Sequence, residues 1–577
     1  MKDRRRLRRP MCSIVALSPL WLGLIGCSSS DAAESARAAD VSAPGFSSGV
    51  AGTFGAENSQ SVPSSMAAGT GTAVGGIVDR GAVRDLPPEV ETSARFEQPA
   101  AGARYVYVAN PAGDTVSVLD AETRGIETVY AGESPRYVQT VAGSDVAIVL
   151  SDAAGTVGEA HILRTDADGT DVVSFEVTAG ANAIAVAPDG KHAIVFFDWR
   201  LRRSGMPAGS YQDINVLTLD AGTPMAHQLT VGFRPQAVMF DDAGARGFVV
   251  TEDGVSVLDL AKIDDGDTGV AQLVRISDDP ADTFPDVSIT ADGGFAIARS
   301  EDGTDVRLVD LASGEVTPLA DSLDPPDAEA DQAVTDLDLS PDGTFLLAAV
   351  RSQAAVRRIP LPLGFVDEDS TEWFPVDNAV VGSVSITPDG SRALVYTTAV
   401  LDERLALIDL AADGEQQAVR LRKGIQAVAL TPAGDRALVV HAKKPGSVDE
   451  AGIDDDERLD RAYGYSLVDL DSGSVKLQET AAALGPFIVT PDGDFAFVLV
   501  RDNQKGAHEV HRANLHGFQI ERVALQSPPL TVGAVPESKQ VFVGQEHPAG
   551  RITFFDWESG DYQVVTGFEN TNLIRSR

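Results

Sequence analysis

From about residue 103 to the end of the chain, short apolar runs alternate with clusters of turn residues. Ala183–Val186 and Ala193–Phe197 flank Ala187-Pro188-Asp189-Gly190. The same turn returns as Ser340-Pro341-Asp342-Gly343, Thr387-Pro388-Asp389-Gly390 and Thr490-Pro491-Asp492-Gly493. Worn copies stand at Thr431-Pro432-Ala433-Gly434, Thr290-Ala291-Asp292-Gly293 and Asp241-Asp242-Ala243-Gly244. Proline presets φ at the second position of such a turn. Aspartate bonds its own backbone at the third, and glycine accepts the positive φ that follows. With β-forming residues on both sides, each copy predicts a tight hairpin.

A hairpin repeated at a near-constant period indicates a repeat architecture. Aligned on the turn position (Ser144, Gly190, Gly244, Gly293, Gly343, Gly390, Gly434, Gly493, Ser538), the spacings are 46, 54, 49, 50, 47, 44, 59 and 45 residues. Each unit reads as four strands, a to d. In one unit these are Gln236–Phe240, Gly247–Thr251, Gly254–Leu260 and Val270–Ile276. Strand c is the plainest, as in Val116–Asp120, Val255–Asp259, Val306–Asp310, Leu405–Asp409 and Ser466–Asp469. Evenly spaced, β-branched strands of this kind predict an all-β chain, a β-propeller of four-stranded blades. The first unit shows strands b (Arg104–Ala109), c (Thr115–Asp120) and d (Glu127–Ala131) but no strand a. Val565–Ile574 matches Thr230–Met239, where d passes into a. The C-terminal strand is therefore expected to complete the first blade, which closes the ring and removes open edges. This gives ten blades; the alternative is eight or nine with a degenerate unit outside the ring.

Tyr107-Val108-Ala109-Asn110, followed by Asp114–Asp120, resembles the YVTN-type propeller repeat of bacterial envelope proteins, and the Pro-Asp-Gly turns resemble TolB-type repeats. The resemblance covers residues 103–577. It implies a surface or periplasmic propeller and leaves the function open, because many functions share the fold.

The N-terminus changes the picture. Lys2–Arg9 is a basic stretch, Met11–Leu22 is apolar but interrupted, and Leu24-Ile25-Gly26-Cys27 follows. The apolar part is shorter than the roughly 20 residues a membrane span needs. Leu-Ile-Gly-Cys is similar to the lipobox of bacterial lipoproteins. That resemblance implies lipidation of Cys27 as the first mature residue, and Ser28 after it implies outer-membrane sorting, facing the periplasm or the cell surface. Several acyl chains are then needed, since one chain binds a bilayer only marginally. Residues 28–98 are rich in Ser, Ala and Gly without periodicity and are expected to be a disordered tether, leaving 99–577 for the propeller. The two cysteines are Cys12 and Cys27, so no disulfide is available to the propeller.

The net charge is −39. Without the first 27 residues, which hold six basic and one acidic side chain, 40 basic face 84 acidic groups, near −44. Such a chain repels phosphate backbones and anionic lipid, so no nucleic-acid partner is expected. The contacts expected are the lipid anchor in a membrane and a protein or glycan partner, for a monomeric chain.

In a propeller blade the b–c and d–a loops share one face. The long insertions 198–211 and 442–462 (b–c) and 277–285 and 320–332 (d–a) fall there, while 261–269 and 362–373 are c–d. Elaborated loops on one face of a repeat array mark its binding side. On it Trp199, Arg200, Arg202 and Arg203 suit a carboxylate, sulfate or aromatic partner; the plainer expectation is salt-bridging to acidic loops such as Asp454-Asp455-Asp456. Arg136, Tyr137, Arg234 and Gln236 fall at d–a junctions, where they line a polar pore or stand as solvated loop.

Asp166, Asp168 and Asp171, and likewise Asp264, Asp265 and Asp267, place oxygens at alternate positions around glycine, as calcium needs. Both sets fall where Asp and Gly are the default turn residues, so calcium is the candidate ion and no cofactor is expected. His508 and His511 lie on opposite faces of a strand and cannot chelate together. No nucleophile motif or phosphate loop appears. The reading is a lipid-anchored, non-enzymatic binding or scaffold propeller. The alternative is an envelope lactonase or hydrolase with its site at the central channel.

Overall fold

The computed structural model describes Phe46–Ser47, Glu89 and residues 101–568, with short gaps of which the longest are 203–208 and 320–332. Residues 1–45 with Cys27, 48–88, 90–100, Arg203, residues 320–332 and residues 569–577 lie outside the described residues.

Ten antiparallel sheets follow one another along the chain. They are the ten blades of a propeller ring. Blade 4 has strands Ala237–Phe240, Arg246–Thr251, Gly254–Asp259 and Gln272–Val274, close to the expected bounds. Blade 1 supplies b, c and d from Tyr105–Asn110, Thr115–Asp120 and Ile126–Tyr130.

The period-two pattern explains the stacking. Strands b and c are apolar on both faces, so each blade is packed against two neighbours. In blade 3, Ala193, Val195 and Leu217 pack with Ile148, Leu150 and Ile162 of blade 2. Their alternates Ile194, Phe196, Ile214 and Val216 pack with Val249 and Leu258 of blade 4. Strand d is the exposed outer rim, as Tyr562–Thr566 shows. The inner strands of blades 6 and 7 are joined by carboxylates. Asp336 and Asp338 of blade 6 accept the N–H groups of Val384 (2.9 Å) and Ile386 (2.6 Å) of blade 7.

The repeated turns take the expected form. Gly190, Gly343, Gly390 and Gly493 have φ of 69°, 69°, 71° and 78°. The first-position hydroxyl adds a bond that the motif alone does not reveal. Thr387 Oγ1 donates to Asp389 (2.6 Å) and accepts the N–H of Arg392 (3.1 Å). Ser340, Thr490 and Thr290 do the same.

The ring is closed. Ala101, Val106 and Leu119 of the first unit share one buried cluster with Val535, Phe542, Ile552, Phe554 and Phe568 of the last. Glu537 N–H donates to the Ala103 carbonyl at 3.0 Å. The Phe568 carbonyl reaches Ser117 Oγ (3.5 Å) in strand c of blade 1. In blade 4 the corresponding serine, Ser256, accepts the N–H of Gly232 at 3.0 Å, and Gly232 is the counterpart of Gly567, the residue just before Phe568. The chain is therefore delivered to blade 1 as expected, while the residues after Phe568 that are expected to form the closing strand lie outside the described residues.

Two parts of the N-terminal segment touch the ring, where its composition suggests no structure. Phe46 and Ser47 pair in parallel with Ala185 and Val186, on the inner strand of blade 3. An inner strand has a free edge of N–H and C=O groups, which accepts an added strand. Glu89 docks between blades 6 and 7.

Candidate functional site

The loop 198–211 leaves blade 3 through a single 3-10 turn, Trp199–Leu201, capped by the Asp198 carboxylate. Asp198 is buried and held by Asn182, whose side chain accepts its N–H (2.7 Å) and donates to its carbonyl (2.9 Å). Arg200 pairs with both oxygens of Asp198 (3.0 and 2.8 Å) and donates to the Gln236 carbonyl. The salt-bridging expected for these arginines is thus local: Arg200 meets the residue two before it, not Asp454–Asp456. Asp454 instead caps the helix Asp455–Arg461 (α2) inside the other long insertion, accepting the Glu457 N–H at 2.8 Å.

Arg200 ties this loop to the d–a crossing into blade 4, where Arg234 sits at φ 54°. A non-glycine residue in that region is held there against its preference. What holds it is a cage of rings and a carboxylate. The Arg234 guanidinium lies 5.2 Å from the Trp199 ring centre, 5.6 Å from Tyr211 and 5.0 Å from Phe233. It pairs with Glu252 at 3.1 Å. Tyr211 also packs against Phe197 and Phe233, with centroids 5.7 and 5.8 Å apart. Cation–π contacts within about 6 Å are attractive, so the side chains fix one another. Trp199 is left 42% exposed, an aromatic face open to solvent beside a fixed positive charge.

The structure therefore joins Trp199, Arg200, Arg234 and Gln236 into one cluster. Arg136 and Tyr137 stand at the equivalent inner-strand entry of blade 2, Pro135–Thr140, where both are half-buried and Tyr137 packs on the core shared with blade 3. Arg202 is exposed at the end of the 3-10 turn. Tyr211, Phe233 and Glu252 complete the cluster and carry no motif of their own in the sequence; Phe233 beside Arg234 is the available signal.

The second insertion is anchored differently. Lys423 is wholly buried and donates to the Leu459 carbonyl at the end of α2. Burial lowers its pKa despite Asp460 and Glu479 nearby.

The aspartates proposed for calcium are engaged in bonds within the fold. Asp166 Oδ1 accepts the Asp168 N–H at 2.8 Å. Asp264 lies in the short helix Leu260–Asp264 (α1) and accepts from Thr218 (3.0 Å), with His192 Nε2 at 3.1 Å. Among the described residues, no group of three or more His, Cys, Asp or Glu side chains is placed to hold a metal ion. His508 and His511 face across the strand as expected; His511 meets Tyr465 (3.2 Å) and Glu509 (3.1 Å). On the opposite face of the ring a cavity of ≈ 500 Å³ opens between the turns of blades 6 and 7, lined by Asp342, Phe345, Arg358 and Asp389.

No protein-family model and no curated protein matches the chain. Solved structures do. One is the dihydro-heme d1 dehydrogenase NirN, 14% identical, covering 77% of this chain and 79% of its own, with a TM-score of 0.40. Another is a eukaryotic initiation factor, 11% identical over 80% of this chain and 96% of its own, TM-score 0.41. A putative 6-phosphogluconolactonase from Bacteroides uniformis is 16% identical over 65% of this chain and 95% of its own, TM-score 0.29. At such values the likenesses carry no argument about activity. Among the described residues, no helix is long and apolar enough to cross a membrane.

Proposed function

We propose that the protein is a lipid-anchored cell-envelope propeller that binds a protein or glycan through the face bearing its b–c and d–a loops. The observation that carries this is the exposed Trp199 ring held beside the caged Arg234. Exposed, rigid aromatic and arginine side chains are the usual energetic centres of binding surfaces. They also suit the apolar faces of sugars and the carboxylates of acidic glycans. The leader and Cys27 supply the anchor in this reading, and the YVTN-like repeats agree with an envelope location.

The alternative, an envelope lactonase or hydrolase, would draw on the carboxyls of the inner strands. Asp286 is buried against Arg299 (3.0 Å), and burial pushes the Asp338 carboxyl well above its usual range. Asp286 is committed to Arg299, and Asp338 accepts the Ile386 N–H through Oδ2 while its Oδ1 is buried without a hydrogen-bond partner among the described residues.

A glycan array and photo-crosslinking to envelope proteins from position 202 test the binding reading. Trp199→Ala, and separately exchange of 198–211 and 442–462 for short turns, are expected to weaken capture at least tenfold with little change in melting temperature. Capture that survives both changes overturns the reading. Turnover of a lactone and ester panel, lost on changing the inner-strand carboxyls, would establish the alternative.

A further inference from the structure

At the junction of blades 6 and 7, on the b–c and d–a face, a carboxylate is recognised by four donors. Arg351 follows strand b of blade 6, Thr397 and Thr398 follow strand b of blade 7, and Val381-Gly382 lie in the d–a crossing between them. The occupant is Glu89. Its Oε1 accepts from the Arg351 guanidinium and from Thr397 Oγ1 (2.5 Å). Its Oε2 accepts from Thr398 N–H (2.7 Å) and Thr398 Oγ1 (2.5 Å). The Glu89 side chain is 2% exposed and that of Arg351 9%. Thr397 is wholly buried, and Arg351 Nε is steadied by the Val381 carbonyl at 3.2 Å.

Three features mark this as a built socket and not an incidental surface pair. Taking the carboxylate away from a buried guanidinium is unfavourable, so a negative occupant is favoured in this pocket. A charge-assisted bond plus an N–H and two hydroxyls use both oxygens of one carboxylate. A Cβ on Gly382 would collide with Glu89 Oε1 and come 2.8 Å from Thr397 Oγ1, so the wall is a glycine where the carboxylate passes. All the groups that make the socket come from the ring; the group that fills it comes from the segment before the ring.

We propose that this socket is a recognition site for a glutamate side chain of an acidic peptide segment, held in cis by Glu89. Only 15 residues of chain separate Glu89 from Tyr105, where the first strand of the ring begins. A tether of that length keeps the resident carboxylate at an effective concentration on the order of millimolar. An external segment therefore gains the site when Glu89 has left it. The site stands apart from the Trp199 platform at blades 3 and 4, and its test does not depend on that platform.

The probe is a fluorescein-labelled peptide copying Asp85–Ser93, with a second version carrying glutamine for Glu89. Anisotropy is followed on the full chain. Glu89→Ala is expected to bind the first peptide at least tenfold more tightly than the unaltered chain does, and at least tenfold more tightly than it binds the glutamine version. Adding Gly382→Ala to Glu89→Ala should abolish binding without moving the melting temperature. Glu89→Gln is run beside Glu89→Ala, because it leaves the pocket filled. Equal binding by altered and unaltered chains, indifference to glutamine, or binding that survives Gly382→Ala overturns the proposal. A second measurement needs no change at Glu89: Gly382→Ala alone should expel the segment and speed trypsin cleavage after Arg84 and Arg95, and unchanged cleavage refutes occupancy in cis.

Discussion

His441 shows how a single side chain couples this fold to pH. It ends strand b of blade 8, wholly enclosed, with Nδ1 donating to the Gly424 carbonyl (3.1 Å) and Nε2 accepting from the Ser466 hydroxyl (2.7 Å). Both ring nitrogens are satisfied in the neutral tautomer. Burial, reinforced by Lys423 nearby, drops its pKa from 6.5 to about 4. His161, bonded to Ser174 at 2.8 Å, is pushed to about 4 by burial as well. The folded value lies below the unfolded one, so the unfolded chain takes up a proton first as pH falls. The contribution of each histidine is complete above about pH 6.5 and is lost between there and about pH 4. For His441 alone the loss between pH 7 and pH 5 is roughly 2 kcal/mol. His441→Gln should reduce the drop in urea midpoint between those two pH values by the corresponding amount. An unchanged drop would show that His441 is charged in the folded chain or reached by water.

Turns carry the fold at the scale of elements, and their glycines differ in what surrounds them. Gly293 and Gly493 occupy the same turn position, with φ of 64° and 78°. A Cβ on Gly493 would meet nothing within 4 Å, whereas on Gly293 it would run into the buried ring of Phe248 in blade 4. Gly493→Ala should therefore cost only the left-handed strain, about 1 kcal/mol. Gly293→Ala should cost about 3 kcal/mol, the excess coming from overpacking. Chemical denaturation of the two variants measures the difference, and equal costs would mean that Phe248 yields freely. These turns were legible in the sequence because Pro, Asp and Gly act locally, within four residues. The strands were legible because period-two burial on both faces leaves long apolar runs. The worn copy Thr431-Pro432-Ala433-Gly434 shows where legibility ends. Its missing aspartate is replaced by Asp435, which accepts from Thr431 Oγ1 at 3.1 Å. The short helices α1 and α2 fell inside insertions that read only as loops. The site is half legible: Trp199 and Arg200 stand out as an aromatic and a cation on an acidic chain, and Arg234 and Gln236 by their place at a d–a junction. Their partners do not, because Arg200 chose Asp198 over more distant acids, and Glu89 is one carboxylate among 85 acidic residues, 262 positions from Arg351.

At the scale of the whole molecule the ring depends on its seam. Neighbouring blades elsewhere are joined by continuous chain, but blades 1 and 10 meet through side chains and a few bonds. Ser117 and Phe568 are 451 positions apart. Bringing ends so distant together costs roughly 5 kcal/mol in chain entropy before any contact forms. The cluster of Val106, Leu119, Phe542, Phe554 and Phe568 opposes that cost, with Phe568 itself 3% exposed. Arg124 adds a stack over Phe554 at 4.5 Å and a bond to Gln563 at 3.1 Å. Among the described residues blade 1 holds strands b, c and d, and the likeness of Val565–Ile574 to Thr230–Met239 points to the C-terminus for strand a. Removal of residues 571–577 should therefore expose the seam along blade 1. Hydrogen exchange is expected to accelerate first in Tyr105–Asn110 and in blade 10, with blades 4 to 7 the last affected. Phe568→Ala, which leaves the terminal residues in place, should open the same seam at a cost of about 3–5 kcal/mol. If truncation left protection in blade 1 unchanged while Phe568→Ala removed it, the hydrophobic cluster alone would be closing the ring, and the terminal residues would have no part in it.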